Sequence, residues 1–487
     1  MLLAAVDLGS NSFRLEIGSV EGAQILRQNY WKEMVRLGAG LDTNNRLSRK
    51  SIEAACDCLA RMNERMRGMP GEQVRAVGTE TLRAAANVDE FLLEAQHALG
   101  FPIEVISGRE EARLIFEGCM HTLPRSDKRR LVVDIGGGST EVIVGRGFTA
   151  DNAESFRVGC VSLSLRFFRN GAIDRNAFRQ AVVAAAAEIE EAIDVFSRSN
   201  WDEAFGSSGT VDTVSEILRA ENWTNGTITL DGLHRIRQAL LVAGDAKRIK
   251  LAGMKAERQD VIAGGTAVLI AVFETLGVGE MKPARGALRL GVLYDLLGRR
   301  ESRDLRDASV DRLQTRFAVD QAQAQRVERI AQRLLSSLQP NATEADTKHL
   351  TRACALHEVG FAISHSEYHK HGAYMVANAD LAGFSTSEQE TLAELVLGQR
   401  GNLKKIGRAL ADPMRAAKVL SLRLAVILCH ARRSVDLPRL QLQRLRNSVE
   451  LSIDRAWLGA HPLTQHLLEE ECSQWERAGA RLLLHPL

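Results

Sequence analysis

The sequence predicts an α/β protein of two similar lobes followed by a helical C-terminal region. Three observations predict it. A short phrase is written twice: Asp7-Leu8-Gly9-Ser10-Asn11-Ser12 returns 127 residues later as Asp134-Ile135-Gly136-Gly137-Gly138-Ser139. Each copy follows an apolar run (Leu2 to Val6; Leu131 to Val133) and precedes another (Phe13 to Ile17; Val142 to Val144), the pattern of strand, tight turn and strand. After Arg300 the texture turns charged, Gln-rich and Ala/Leu-rich, with helical periodicity almost throughout.

The first lobe is expected over 1–123. It holds a helix from Ser51 to Met66, with Ile52, Ala55, Cys56, Leu59 and Met62 on one face, and another from Glu110 to Cys119. The turn Pro124-Arg125-Ser126-Asp127 introduces a second lobe, 124–300. That lobe carries an alanine-rich helix from Ala181 to Phe196. It also has two further glycine turns, Gly206-Ser207-Ser208-Gly209-Thr210 and Gly264-Gly265-Thr266, both expected at the mouth of the same cleft. The third region, 301–487, reads as all-helical. Val319 to Leu338 is a long amphipathic helix ended by Pro340-Asn341, and the tail is acidic at Glu469, Glu470, Glu471 and Glu476.

With 487 residues the chain has length for about three domains. Hydrophobic residues make up 45% and charged residues 25%, as in ordinary soluble proteins. No apolar run reaches the ~18 residues of a membrane helix, so no integral membrane contact is expected. No basic stretch precedes the first apolar run, which argues against a signal peptide. The seven scattered cysteines read as reduced thiols of a cytoplasmic protein, with the periphery of the inner membrane also open to it.

The net charge is only +2, but it is unevenly spread. From Arg400 to Arg446 there are twelve Lys/Arg against Asp412 and Asp436, a net of +10. Such a run is either a solvated face or a track for a polyanion. Lys370, His371, Arg400, Lys404, Lys405, Arg408, Arg415 and Lys418 are the candidate track. Four histidines (His357, His365, His369, His371) cluster just upstream, but their spacing fits no zinc template and no His-Asp pair occurs in the chain. Phosphate lining or helix packing explains them better.

The duplicated turn suits a phosphate and its metal ion. Glycines allow close backbone approach, successive amides cradle an anion, serine adds a donor and the Asp carboxylate suits a hard cation. Ser107-Gly108-Arg109-Glu110-Glu111-Ala112-Arg113 places two carboxylates at a helix start. Neighbours on a helix diverge by about 100°, so only one can face the cleft and activate a water. The sequence leaves open which. Asp134 and Glu141 can share one Mg²⁺, and Arg83 is the best first-lobe cation for a phosphate fork.

These segments, together with Gly78-Thr79-Glu80-Thr81-Leu82-Arg83, Gly286-Ala287-Leu288-Arg289 and Leu356-His357-Glu358-Val359-Gly360, resemble the exopolyphosphatase/guanosine pentaphosphate phosphohydrolase family over essentially the whole chain. The resemblance implies two actin-like (ribonuclease H-like) lobes of the Hsp70/sugar-kinase superfamily and a degenerate His-Asp-type helical region. It implies Glu111 as general base and Asp134 and Glu141 as Mg²⁺ ligands. It implies phosphate contacts from Asp7, Asn11, Ser12, Arg83, Gly137, Gly138, Ser139, Thr140, Gly209 and Thr210, and it suggests a homodimer. Two departures stand out: Leu290 where the family often has Glu, and no histidine in Leu397-Gly398-Gln399-Arg400-Gly401-Asn402.

The expected activity is Mg²⁺-dependent release of orthophosphate from the end of inorganic polyphosphate, with the basic run holding the polymer. The alternative is removal of the 5′-terminal phosphate of guanosine pentaphosphate, a stringent-response substrate. A non-catalytic phosphate sensor and an actin-like ATPase or sugar kinase are the remaining rivals. Nucleic acid is not an expected partner.

Overall fold

Each duplicated hairpin forms the centre of its own sheet in the computed structural model, which describes residues 1–22, 24–300, 304–433, 440–445 and 448–487. The chain divides into two compact units, Met1–Asp304 and Leu305–Leu487.

The first unit contains both lobes. In the first, β1 (Leu2–Leu8), β2 (Phe13–Glu21) and β3 (Gln24–Glu33) form an antiparallel meander. β4 (Val74–Gly78) and β5 (Ile103–Val105) extend it in parallel, giving the order β3-β2-β1-β4-β5. In the second, β6 (Arg130–Ile135), β7 (Thr140–Arg146) and β8 (Thr149–Phe156) repeat the meander. β9 (Glu203–Ser207) and β11 (Glu280–Pro283) extend it in parallel, with the short β10 (Ile228–Thr229) on the edge. The two lobes thus share one strand order around their hairpins. β1 and β6 lie between neighbours and are buried along nearly their whole length, which is why both read as continuous apolar runs. Parallel pairing of β1 with β4 needs a crossover, supplied by the helix Arg49–Arg65 with Ile52, Ala55, Cys58, Leu59 and Met62 buried.

The helix Gly108–Met120 is locked against the helix Leu288–Arg300. A Cβ on Gly291 would stand 1.8 Å from Leu114 O, and one on Gly118 would stand 2.3 Å from Ala287 O. Glycine is required there because the backbones nearly touch. Beneath this crossing lies a buried ion cluster. Asp295 accepts from Arg75 at 2.7 Å, Arg113 at 2.6 Å and Arg299 at 2.8 Å.

Three expectations change. Gly264-Gly265-Thr266 is not a turn at the cleft mouth. It lies buried in the first turns of the helix Ile262–Leu276, where a Cβ on Gly264 would stand 2.4 Å from Cys160 O. Those glycines serve helix packing. The alanine-rich stretch is two helices, Arg175–Glu190 and Ile193–Phe196. The second unit is mainly helical, and the long helix runs Gln321–Leu338 with Asp320 as its N-cap. It is not all-helical: β12 (Leu440–Arg444), β13 (Val449–Ile453) and β14 (Leu482–Pro486) form a small sheet. Its buried positions, Leu440, Leu442, Leu451 and Ile453, alternate with period two. Runs of five residues among charged neighbours are too short to overrule a helical texture.

Candidate active site

The two copies of the turn face each other across a cleft of about 100 Å³. Their registers agree: Asp7 pairs with Arg14 across the β1–β2 hairpin, and Asp134 pairs with Glu141 across β6–β7. All four therefore stand one residue pair back from the turn. A Cβ on Gly137 would stand 3.5 Å from Ser10 Cβ and 3.7 Å from Asn11 Cβ, so the turns of the two lobes approach to van der Waals distance. Asp7, Asn11, Ser12, Gly137, Gly138, Ser139 and Gly209 line the cleft.

The second turn is held from behind. Gly136 O accepts from Cys160 N at 3.0 Å, and Gly137 O accepts from Val161 N and Ser162 N at 2.9 and 3.1 Å. With these carbonyls committed to the helix Cys160–Phe167, the amides of Gly137, Gly138 and Ser139 make no backbone hydrogen bond among the described residues. That is the donor arrangement an anion needs. The first turn is braced likewise, through Gly38 N to Ser10 O (2.8 Å) and Arg36 N to Asn11 O (2.9 Å).

The helix start resolves the choice between the two glutamates. Ser107 caps the helix by accepting from Glu110 N at 3.2 Å. Glu110 turns away and takes both Arg113 nitrogens at 2.8 and 2.9 Å. Glu111 lines the cleft. Its Oε2 accepts from Arg83 Nη1 at 2.8 Å, and the same guanidinium donates to Ile106 O at 3.0 Å and Glu80 Oε2 at 3.0 Å. Arg83 therefore stands as counter-ion to Glu111 rather than as a free phosphate fork. Sequence reasoning missed this because the pairing spans 28 residues of chain.

Four carboxylates converge here: Asp7, Glu111, Asp134 and Glu141, each under a tenth exposed. Burial pushes the Glu111 carboxyl up to about 7, opposed by Arg83 and reinforced by Asp7 and Asp134. Burial pushes Asp134 up to about 6, with Asp7 adding to the rise and Ser207 and Arg14 opposing it. Glu141 is raised well above the usual range by burial and then by Glu111 and Asp134, although Ser155 Oγ donates to it at 2.8 Å. Like charges crowded in a low dielectric have this effect. Asp7 has a guanidinium beside it, Arg289 Nη1 at 3.3 Å, as Glu111 has that of Arg83.

Two expected phosphate contacts are otherwise engaged. Thr140 is fully buried and donates to Val158 O at 2.6 Å, and Thr210 is buried with its hydroxyl turned toward Ile135 O at 3.5 Å. Neither lines the cleft. Several lining residues were not named as contacts from sequence: Ser10, Thr79, Ser208, Arg258 and Arg289. Arg14 was legible as the register partner of Glu141, and Arg289 lay in a quoted motif. Arg258 carried no local signal; it reaches the cleft by filling the space left by the missing Gly209 side chain. Ser208 adopts φ +84° and donates to Ile135 O at 2.8 Å. A left-handed serine at a cleft is a mark of a functional constraint.

Four of the twelve cations in the basic run are spent on acids of their own unit. Lys418 is buried and paired with Asp346 at 2.8 Å, Arg415 with Glu394 at 3.5 Å, and Lys370 with Glu367 at 2.5 Å. Arg423 takes Glu471, and Arg432 takes Glu358 and Asp320. None of these acids lies between residues 400 and 446, so a charge count over that window overstated the track. Among the described residues Arg400 and Lys404 form no ion pair, and Lys405 donates to Arg400 O at 2.6 Å, burial holding it down to about 8. His371 is half-buried. The Arg408 side chain, Arg439 and Arg446 lie outside the described residues. Among the described residues no helix is long and apolar enough to cross a membrane.

The profile of the Ppx/GppA phosphatase family matches residues 19–300, and that of Ppx/GppA phosphatase domain III matches residues 305–472. A protein of Photobacterium profundum named guanosine-5'-triphosphate,3'-diphosphate pyrophosphatase is 37% identical, covering 99% of this chain and 98% of its own length. An Aeromonas hydrophila protein of the same name is 36% identical, covering 98% and 97%. Among solved structures, an exopolyphosphatase from Cytophaga hutchinsonii is 25% identical with a TM-score of 0.55, covering 61% of this chain and 98% of that one.

Proposed function

The chain belongs to the Ppx/GppA phosphatase family, and from that premise we propose that it removes the 5′-terminal phosphate of guanosine pentaphosphate. Two things favour the nucleotide over the polymer first expected from sequence. The curated relatives that match along the whole chain carry the pentaphosphate name. And the polymer reading rested on a basic run of which four of the twelve cations, Arg415, Lys418, Arg423 and Arg432, are paired with acids of their own unit.

The observation that carries the chemistry is Glu111, a buried carboxylate gripped by Arg83 at 2.8 Å and facing two anion-binding turns. Glu111 orients a water and takes its proton as the water oxygen attacks the terminal phosphorus. The bond from that phosphorus to the bridging oxygen breaks, and orthophosphate departs from the shortened anhydride. A site titrating near neutrality suits this task, because the carboxylate is populated at working pH yet basic enough to accept a proton. The amides of Gly137, Gly138 and Ser139, with Asn11 and Ser12 opposite, hold the terminal phosphates. Arg14 and Arg258 offset their charge.

Asp134 and Glu141 fit a hard divalent ion. They are adjacent across two strands and both are raised first by burial, Asp134 adding to the rise of Glu141 and Asp7 to that of Asp134, a crowding of negative charge that a cation relieves. Mg²⁺ is such an ion, one that keeps several waters and substrate oxygens in its shell and so asks for few protein carboxylates. When bound it supplies charge neutralisation on the transferred phosphoryl group.

A second reading, exopolyphosphatase, draws on the Cytophaga hutchinsonii similarity and on the unpaired Arg400 and Lys404. One experiment separates the two. Purified protein with Mg²⁺ is given guanosine pentaphosphate, long polyphosphate and ATP in parallel, and phosphate release is measured. Faster turnover of the pentaphosphate supports the proposal. Preference for polyphosphate returns the second reading, and preference for ATP sinks both.

A further inference from the structure

A cavity of about 470 Å³, open to solvent, lies wholly within Leu305–Leu487, and no residue of the proposed catalytic cleft lines it. One wall is aromatic: the Phe361 ring stands 4.2 Å from that of Tyr368 and 4.7 Å from that of His365. The opposite character comes from Val426, Ile427 and Leu467.

The charges around it are mostly closed. Arg423 forks onto Glu471 at 2.5 and 2.6 Å, and Arg432 onto Glu358 at 2.6 and 3.0 Å. Arg400 alone of the three lining arginines has no carboxylate partner, and its guanidinium sits 5.9 Å from the Tyr368 ring centre. One acceptor is stranded. Gln399 is 2% exposed, and its Nε2 donates to His357 O at 2.6 Å and Val396 O at 3.0 Å, which fixes the amide orientation. Its Oε1 is then left buried with no donor. Native structures rarely leave such an atom unmatched.

A metal does not answer this arrangement. His357 Nδ1 is held on Cys354 O at 2.7 Å, and the neighbouring Glu358 is already taken by Arg432. Polyphosphate does not answer it either: it has no ring for the aromatic wall and no N–H for Gln399, and its charge would meet Glu358, Glu470 and Glu471. What fits is a flat heteroaromatic ring with an N–H donor and one anionic end. We propose that this cavity binds a nucleoside phosphate, its base on Phe361 and Tyr368, a base N–H donating to Gln399 Oε1, and its phosphate on Arg400. The site is separate from the catalytic one, and the inference holds whichever anhydride the first unit cleaves.

The test uses the full chain in EDTA and, as probe, GDP carrying a fluorescent N-methylanthraniloyl group on its ribose, followed by anisotropy. Saturable binding is expected. Tyr368→Leu and Arg400→Ala should each raise Kd roughly tenfold or more, the scale of losing one stacked ring or one charge contact. Arg258→Ala, in the catalytic cleft, should leave Kd unchanged. His365→Ala, at an exposed ring, should also weaken binding and keeps the test available if Tyr368→Leu fails to fold. Absence of saturable binding overturns the proposal. So does binding lost in Arg258→Ala but kept in the cavity variants, and so does displacement of the probe by long polyphosphate but not by unlabelled GDP.

Discussion

Replacing Glu111 with Gln should abolish turnover while making the metal-free protein more stable. The carboxyl is buried and titrates at about 7 instead of its ordinary 4.5. Each pH unit of that displacement corresponds to about 1.4 kcal/mol, so an ionised Glu111 costs the fold about 3 kcal/mol. For an acid whose folded value lies above its unfolded one, the cost is absent below pH 4.5, grows from there to 7 and is complete above it. Gln keeps the shape and removes the charge. Arg83 loses one partner but retains Glu80 and Ile106 O, so part of the gain is returned. The net expectation is about 1–3 kcal/mol at pH 8.5, or roughly 2–6 °C in Tm for a unit of this size. Thermal melts in EDTA at pH 4.5 and 8.5 measure it, and the two proteins should nearly coincide at the lower pH. Phosphate release should fall about 10²- to 10⁴-fold, the usual contribution of a general base. The reasoning would be refuted by a variant that melts at or below the parent at pH 8.5, or by near-normal turnover in a folded variant.

Arg83→Met should lower kcat about 100-fold through misplacement of Glu111 and leave KM little changed; a KM rise with kcat intact would instead make Arg83 a phosphate ligand. Asp295→Asn should destabilise by about 3–5 kcal/mol, because three guanidiniums lose their buried counter-charge. Those arginines hold the Asp295 carboxyl well below the usual range, so its stabilisation is present above about pH 4 and lost on acidification. Denaturant melts should therefore show the gap to the parent closing as pH drops below 4. Gly159→Ala should cost about 1–3 kcal/mol by overpacking, since its Cβ would stand 2.4 Å from Gly137 O. Gly137→Ala meets only ordinary contacts, 3.4 Å and beyond, so it should fold normally but show raised KM in steady-state assays.

Much of the site was legible in the chain because its parts are local. A glycine turn between two apolar runs needs only neighbouring residues to specify it, and the fixed offset of 127 between copies placed Asp7, Asp134, Arg14 and Glu141 in matching register. The helix start at Ser107 was equally local, with its cap and its two glutamates in five residues. The misreadings share the opposite character. Gly264-Gly265 looked like a turn, but Gly264 answers to the backbone at Cys160 and Gly265 to the Thr210 side chain, both distant in the chain. The C-terminal sheet escaped because β14 pairs with β13 in parallel from beyond an intervening helix.

The sequence by itself determined the two glycine turns, the pair of lobes that carry them and the set of acids around the cleft. Those depend on periodicity and turn chemistry, which act over a few residues. Only the tertiary structure decided which acid is free to act and which cation is free to bind. It turned Glu110 into Arg113 and left Glu111 facing the cleft, it spent Arg83 on that carboxylate, and it neutralised Lys418, Arg423 and Arg432 with acids distant in the chain. Charge pairing depends on distance in space, and a linear charge count has no access to it.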